Sequence, residues 1–173
     1  MGSTKTHSEI VIRDAADADL ASMLGILNRE IETSAYVWAE SPKTLDDRRA
    51  WLEAHRTADL PVVVATRDGE VAGWASLSAF RAASGYRFIA EVSVYVAPDT
   101  RGSGVASAML EVLERTARER RIRSLIAVVD CDNEPSVRLF RRLGYDEAGR
   151  LNDIGQKFGE WRSEVFLLKR LPE

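Results

Sequence analysis

Residues 92–110, VSVYVAPDTRGSGVASAML, constrain this chain more than any other stretch. A β-branched run halts at Pro98-Asp99, passes through Arg101-Gly102-Ser103-Gly104, and continues as an amphipathic helical pattern. Glycines at a strand-to-helix junction let a ligand approach the backbone. A helix start adds unpaired N–H groups and the positive end of the dipole. The junction is therefore either an anion cradle or a tight turn that merely needs glycine. Two common phosphate loops fail here. The Walker A loop needs a Lys that this turn lacks, and the G-x-G-x-x-G fingerprint meets Ser107 at its third glycine.

Around that junction the pattern predicts one mixed α/β domain, an α+β arrangement with a mostly antiparallel sheet flanked by helices. A short strand at 9–13 precedes a helix in which Leu20, Met23, Leu24, Leu27 and Ile31 recur, with Asp17 or Asp19 as its cap. Thr44 and Asp47 have capping-box spacing for a second helix to about Arg56. Strands at 61–66 and 70–80 flank an Asp68-Gly69 turn. Then come a strand at 88–96, the helix at 104–121, a strand at 124–130, and a helix at 133–145 with Pro135 in its first turn. Two strands, about 145–151 and 161–168, end the chain. Residues 1–8 read as a flexible leader, and 9–173 as the domain.

Several function classes are disfavoured. A net charge of −3 argues against a general nucleic-acid binder. No apolar run is long enough to span a membrane. The single Cys131 excludes an intrachain disulfide framework and fits a reducing cytoplasm. His7 and His55 have no metal-ligand spacing, so no metal is expected.

The junction resembles the acetyl-coenzyme A loop of the GCN5-related N-acetyltransferases, Arg/Gln-x-x-Gly-x-Gly/Ala, here Arg101, Gly104 and Ala106. The next signature of that superfamily, a strand, an Asn and a short helix ending in Gly-Phe/Tyr, is matched by LIAVVD, Asn133, Ser136 and Gly144-Tyr145. Over 26–40, 73–96 and the tail GQKFGEWRSEVFLLKRL, the chain resembles the branch acting on phosphinothricin, methionine sulfoximine and methionine sulfone.

The resemblance implies that the amides of Arg101, Gly102, Ser103, Gly104, Val105 and Ala106 hold the coenzyme A pyrophosphate. Asn133 and Ser136 would lie beside the pantetheine and adenosine. The backbones of Val94, Tyr95 and Val96 would serve the pantetheine and the thioester oxygen. Relatives are commonly homodimers, and Lys157, Phe158 and Trp161 would either line a partner's pocket or pack within their own strands.

Acetyl transfer requires a neutral amine. An amine with a pKa of about 10 is only about 0.1% neutral at pH 7, a cost of roughly 4 kcal/mol. A placed carboxylate can take that proton. Glu91 shares strand parity with Ile89, Ser93 and Tyr95, and the branch resembled places its general base there. A solvated edge residue or a buried salt bridge is the competing role. The branch also places an Arg in the preceding loop to read a substrate carboxylate, making Arg81 the first choice and Arg87 the second, with Ala82 and Ala83 beside it. Val92 and Ser93 would adjoin the substrate. Trp38 and Tyr36 would wall the pocket or belong to the core. Asp130 would meet the amine or cap the following helix.

Three departures from the resembled pattern stand out: Phe140, Val92 where some branch members carry His, and Arg162-Ser163-Glu164 where an acid directly after Trp-x is common. Many members of the superfamily carry a general-acid Tyr four residues before the helix-ending Gly, and Phe140 occupies that position. Cys131 has no base at a recognisable spacing, so an acyl-cysteine route is disfavoured. The rival functions are acetylation of a peptide N-terminus or polyamine, and a non-catalytic coenzyme A sensor.

Overall fold

A computed structural model describes residues 9–172. The predicted leader at 1–8 lies outside them. The elements run β1 (Ile10–Asp14), α1 (Leu20–Thr33), α2 (Leu45–Thr57), β2 (Val62–Arg67), β3 (Glu70–Ala79), β4 (Ile89–Val96), α3 (Val105–Glu119), β5 (Ser124–Asp130), α4 (Glu134–Arg142), β6 (Asp146–Lys157) and β7 (Glu160–Arg170). The sheet order is β1-β2-β3-β4-β5-β7-β6. Every neighbouring pair is antiparallel except β4 and β5, which are parallel and joined through α3.

Strand parity divides the core into two layers. Val63, Ala65, Leu77, Ala90, Val92, Leu125 and Leu167 face Met109, Leu110 and Leu113 of α3. Val62, Val64 and Trp74 face Met23, Leu27 and Ile31 of α1 and Leu52 of α2. Fully burying one such leucine contributes about 1.5–3 kcal/mol. The strand residues of the second layer come from β2 and β3, which leaves the far end of β4, with β5 and β7, for a site.

Local signals account for most boundaries. Thr44 Oγ1 accepts from Asp47 N–H at 3.1 Å while Asp47 accepts from Thr44 N–H at 2.8 Å, closing the capping box of α2. Asp68 and Gly69 both take positive φ, as a tight hairpin needs. Two expectations need correction. The Asp19 side chain makes no capping bond into α1; it accepts from Ala16 N–H at 2.8 Å and pairs with Arg13 at 2.7 Å, while Asp17–Asp19 forms a 3-10 turn. The last two strands are also longer than their apolar runs suggested. They meet at a tight turn where Phe158 and Gly159 take positive φ, so Gly155 to Lys157 belong to β6.

Candidate active site

The β4–β5 ladder holds only three residue pairs, from Ile89↔Ser124 to Glu91↔Ile126. Both strands nevertheless continue, β4 to Val96 and β5 to Asp130. They part beyond Glu91, and a cleft of about 1350 Å³ opens between them. That exceeds the roughly 300–1,000 Å³ of ordinary small-molecule pockets and suits an extended ligand.

The register fixes which backbone groups the cleft receives. Ala97 N–H donates to Ala72 C=O at 2.9 Å, and Val96 lies opposite Gly73. In an antiparallel ladder the hydrogen-bonded pairs alternate. Glu91, Ser93 and Tyr95 therefore bond to β3, while Val92, Val94 and Val96 turn their N–H and C=O toward the opening. Arg101 Nε, reaching Val96 C=O at 3.4 Å, agrees with this direction. Tyr95 was expected to offer its backbone as well; its N–H and C=O are committed to Trp74. Its ring stacks on Trp74 at 4.5 Å, and the residue lines the cleft.

At the far end of the splay stands the glycine turn. Gly102 and Gly104 take φ of +74° and +87°, values that disfavour any residue with a Cβ. The first bond into α3 runs from Ala108 N–H to Gly104 C=O at 3.0 Å, so the amides of Val105, Ala106 and Ser107 have no helical acceptor. Gly102, Gly104, Val105 and Ala106 border the cleft. The Val105 side chain is in the core. Ser103 turns its hydroxyl back to Thr100 C=O at 2.5 Å, leaving only its amide. The Arg101 guanidinium pairs with Glu30 of α1. On the β5 side, Asn133 caps α4 by accepting from Ser136 N–H at 3.3 Å, and both residues line the cleft.

On the sheet face opposite α3, Ser93 and Tyr95 of β4 and Val128 and Asp130 of β5 line the cleft, while Glu91 and Glu164 stand next to them in the strands, outside the lining. Glu91 is half-buried, and burial pushes its carboxyl above the ordinary range. Among the described residues it makes no ion pair. Glu164 of β7 is also half-buried and raised, first by burial and then by the charges of Glu91 and Asp130. The sequence reading missed Glu164. Its parity with Arg162 on β7 was the available signal.

Asp130 is neither an open amine contact nor a simple cap. Its Oδ2 accepts from Arg162 Nε at 2.8 Å and from Trp38 Nε1 at 2.9 Å; its Oδ1 accepts from Arg162 Nη2 at 2.6 Å and from Asp132 N–H at 2.9 Å. Burial alone would raise this carboxyl, but the bonds from Arg162 and Trp38 outweigh it and hold Asp130 below its usual range. Trp38 is thus tethered to Asp130, with its ring over Gly155, and the cleft beside it is walled by Tyr36 and Val37.

The remaining predicted residues sort clearly. The Val92 side chain lies in the core on the α3 face, so only its backbone can reach the site. Ser93 lines the cleft. Arg81 is exposed in the β3–β4 loop, with its guanidinium over Phe80 at 5.2 Å and Tyr86 at 5.9 Å, and it makes no ion pair among the described residues. Arg87 is engaged, donating to Ser84 C=O at 3.0 Å and stacking on Phe88. Ala82 and Ala83 are exposed beside Arg81, and Ala83 C=O accepts from Tyr86 N–H. Lys157 is buried, donating to Ile31 C=O at 2.6 Å and Ala39 C=O at 2.5 Å, a bond set within its own chain. Phe140 is 3% exposed and packs on Tyr145.

A parallel splay bordered by a helix-start amide cradle, with the half-buried Glu91 carboxyl at the last β4–β5 pair, can hold an extended anionic ligand beside a proton acceptor. The chain belongs to the acetyltransferase (GNAT) family, whose model matches residues 26–145. It is 38% identical to an L-methionine sulfoximine/L-methionine sulfone acetyltransferase of Pseudomonas paraeruginosa, over 90% of this chain and 91% of that protein. Among solved structures, a ribosomal-protein-alanine N-acetyltransferase from Brucella melitensis superposes with a TM-score of 0.91 at 41% identity, covering 93% of this chain and 99% of that one. A phosphinothricin acetyltransferase from Sinorhizobium meliloti, solved with acetyl-CoA, superposes with a TM-score of 0.92 at 32% identity, covering 95% and 89%.

Proposed function

We propose that this acetyltransferase acts on the amine of a small amino-acid-like substrate, methionine sulfoximine, methionine sulfone or phosphinothricin, by direct attack in a ternary complex with Glu91 as the base. The observation that carries the reading is the position of Glu91. It is a half-buried carboxylate that makes no ion pair among the described residues, at the last β4–β5 pair, where the cleft opens. A raised carboxyl pKa makes the ionised group a stronger proton acceptor, and proximity to the opening lets it deprotonate an ammonium directly or through one water.

The chain's features fit acetyl-CoA. The unpaired amides of Val105, Ala106 and Ser107 would hold the pyrophosphate, with the amides of the 101–104 turn beside them, and the N–H and C=O of Val94 and the N–H of Val96 would meet the pantetheine and the thioester oxygen. When bound, that cofactor supplies an activated acetyl thioester. Arg81 would receive the substrate carboxylate: β3 pairs Ser78 with Glu91, so the loop after Ala79 begins beside the base. Phe140 cannot donate a proton, and a free thiol with a pKa of about 8.5 can leave as the thiolate.

Coenzyme A release across a panel of phosphinothricin, methionine sulfoximine, methionine sulfone, common amino acids, spermidine and an alanyl peptide tests the reading. Turnover should be confined to the analogues and fall about 10²–10⁴-fold in Glu91→Gln. The name of the Brucella neighbour gives a second reading, a peptide N-terminus, and turnover of the alanyl peptide alone would favour it. A homodimer is also proposed. Phe158 and Trp161 are 63% and 65% exposed on the β6–β7 hairpin, near exposed Leu151 and Ile154. Sedimentation of wild type against Trp161→Glu would test it, with a monomeric wild type refuting it.

A further inference from the structure

The cleft is strongly basic in an acidic protein. The chain carries a net charge of −3, yet five arginines and only two carboxylates border the cleft. Two of the arginines are not the concern. Arg101 is paired with Glu30 on the α1 side, and Arg29 lies on α1. The other three, Arg138, Arg141 and Arg142, come from one helix, α4, and their spacing places them on a single face. Val137 and Phe140 occupy the opposite, buried face of α4, which fixes that orientation.

This wall is separate from the helix-start amides. Those amides belong to α3 and are neutral donors, suited to the pyrophosphate. The arginines stand on a different helix and carry full charge. Arg138 is held by Glu134 at 2.7 Å and Arg141 by Glu147 at 2.8 Å, whereas Arg142 makes no ion pair among the described residues. A site-facing arginine without a carboxylate, supported by two more on the same face, matches a second and strongly charged phosphate group. Coenzyme A carries one: the monoester on the 3′-position of its ribose, which holds close to two negative charges at pH 7.

We propose that Arg138, Arg141 and Arg142 receive the 3′-phosphate of the coenzyme, with Arg142 its principal ligand, so that the enzyme selects coenzyme A over 3′-dephospho-coenzyme A. The proposal rests on acetyl-CoA as the cofactor, but not on the identity of the amine.

Calorimetric titration with coenzyme A and 3′-dephospho-coenzyme A, without any amine present, tests it. Wild type should prefer coenzyme A at least tenfold. Arg142→Ala should reduce that ratio to within about threefold while binding the dephospho form as wild type does, and Arg142→Lys should retain part of the preference. Arg142 is exposed, so folding should survive, and Arg142→Gln provides a second neutral variant. Equal binding of the two nucleotides by wild type would overturn the proposal. So would a preference that persists in Arg141→Ala/Arg142→Ala. Failure of wild type to bind either nucleotide would instead remove the cofactor reading on which the proposal stands.

Discussion

Replacing Asp130 by Asn separates two roles that the sequence left open. Were Asp130 an amine contact, the change would remove activity and leave the fold unaffected. The geometry requires the reverse order of effects. Asp130 has a side chain only 1% exposed and meets Arg162, whose side chain is 9% exposed, through two bonds of 2.6 and 2.8 Å. Breaking such a pair strands a buried charge, at a cost of about 3–5 kcal/mol. Asp132 lies 3.2 Å from Arg162 and is mostly exposed, so it offers partial compensation and favours the lower end, about 3 kcal/mol. At roughly 2–4 °C per kcal/mol for a chain of this size, Tm should fall by about 6–12 °C. Thermal melts followed by circular dichroism would measure it. Asp130→Leu/Arg162→Met, which removes both charges, should recover most of the loss. The sign with pH follows from the depressed pKa of Asp130. Its contribution is complete above the ordinary carboxylate pKa of about 4 and is lost as pH falls through the lower folded value, so the two melting curves should start to approach one another below about pH 4 and meet only below that folded value. An Asp130→Asn protein that melts within a degree or two of wild type yet turns over no amine would refute this reasoning.

Three further outcomes are expected. Gly155→Ala would place a Cβ 2.3 Å from the Trp38 ring, an overlap that must displace the indole from Asp130; a loss of about 1–3 kcal/mol and a shift in tryptophan fluorescence should follow. Glu91→Gln should raise Tm above pH 6 and leave it unchanged near pH 3. A carboxyl with a raised folded pKa contributes stability below its unfolded pKa and loses it as pH rises through the folded one, and melts across pH would reveal any opposite trend. His55 donates from Nδ1 to Trp51 C=O at 2.9 Å, with Nε2 3.0 Å from Ser78 Oγ. Burial, with Arg48 nearby, lowers its pKa despite that carbonyl, so stability that His55→Gln lacks should be complete above about pH 6.5 and be lost as pH falls from there through the lower folded value.

The sequence made the element order legible because each element had its own signal: the α2 capping box, the Asp68-Gly69 turn, and the β-branched runs of β2, β4 and β5. The length of β6 was hidden because its second half, Asn152 to Lys157, has Ile154 as its one large apolar residue and is exposed except where Gly155 passes beneath Trp38 and Lys157 reaches two carbonyls. The glycine turn was legible because its conformation is local: Gly102 and Gly104 take positive φ where the strand hands over to α3. Asp130, Trp38, Arg162 and Glu164 were not. Their roles depend on the β5–β7 register, Asp130↔Glu164, and on a loop from 92 residues earlier in the chain, separations that no local pattern records. Tyr95 illustrates the same limit within one strand. Its side chain was placed by parity, but its backbone direction required the β3–β4 ladder.

That ladder also explains how one strand serves three purposes. Beyond the β4–β5 pairs, Val94 and Val96 pack their side chains against the α3 core and turn their N–H groups into the cleft. Glu91, Ser93 and Tyr95 send side chains to the opposite face and spend their backbone groups on β3. The Glu91 carboxyl and the cleft-facing amides of Val94 and Val96 are therefore fixed relative to one another by the pleat, with no loop between them. Gly73 keeps β3 close enough to sustain this arrangement, since a Cβ there would lie 2.7 Å from Tyr95 C=O. A slip of one residue between β3 and β4 would bury Glu91, expose Val92 and turn the open amides of Val94 and Val96 into ladder bonds. Cleft geometry and hydrophobic burial thus select the same register, which holds the half-buried Glu91 carboxyl, without an ion pair among the described residues, where β4 and β5 part.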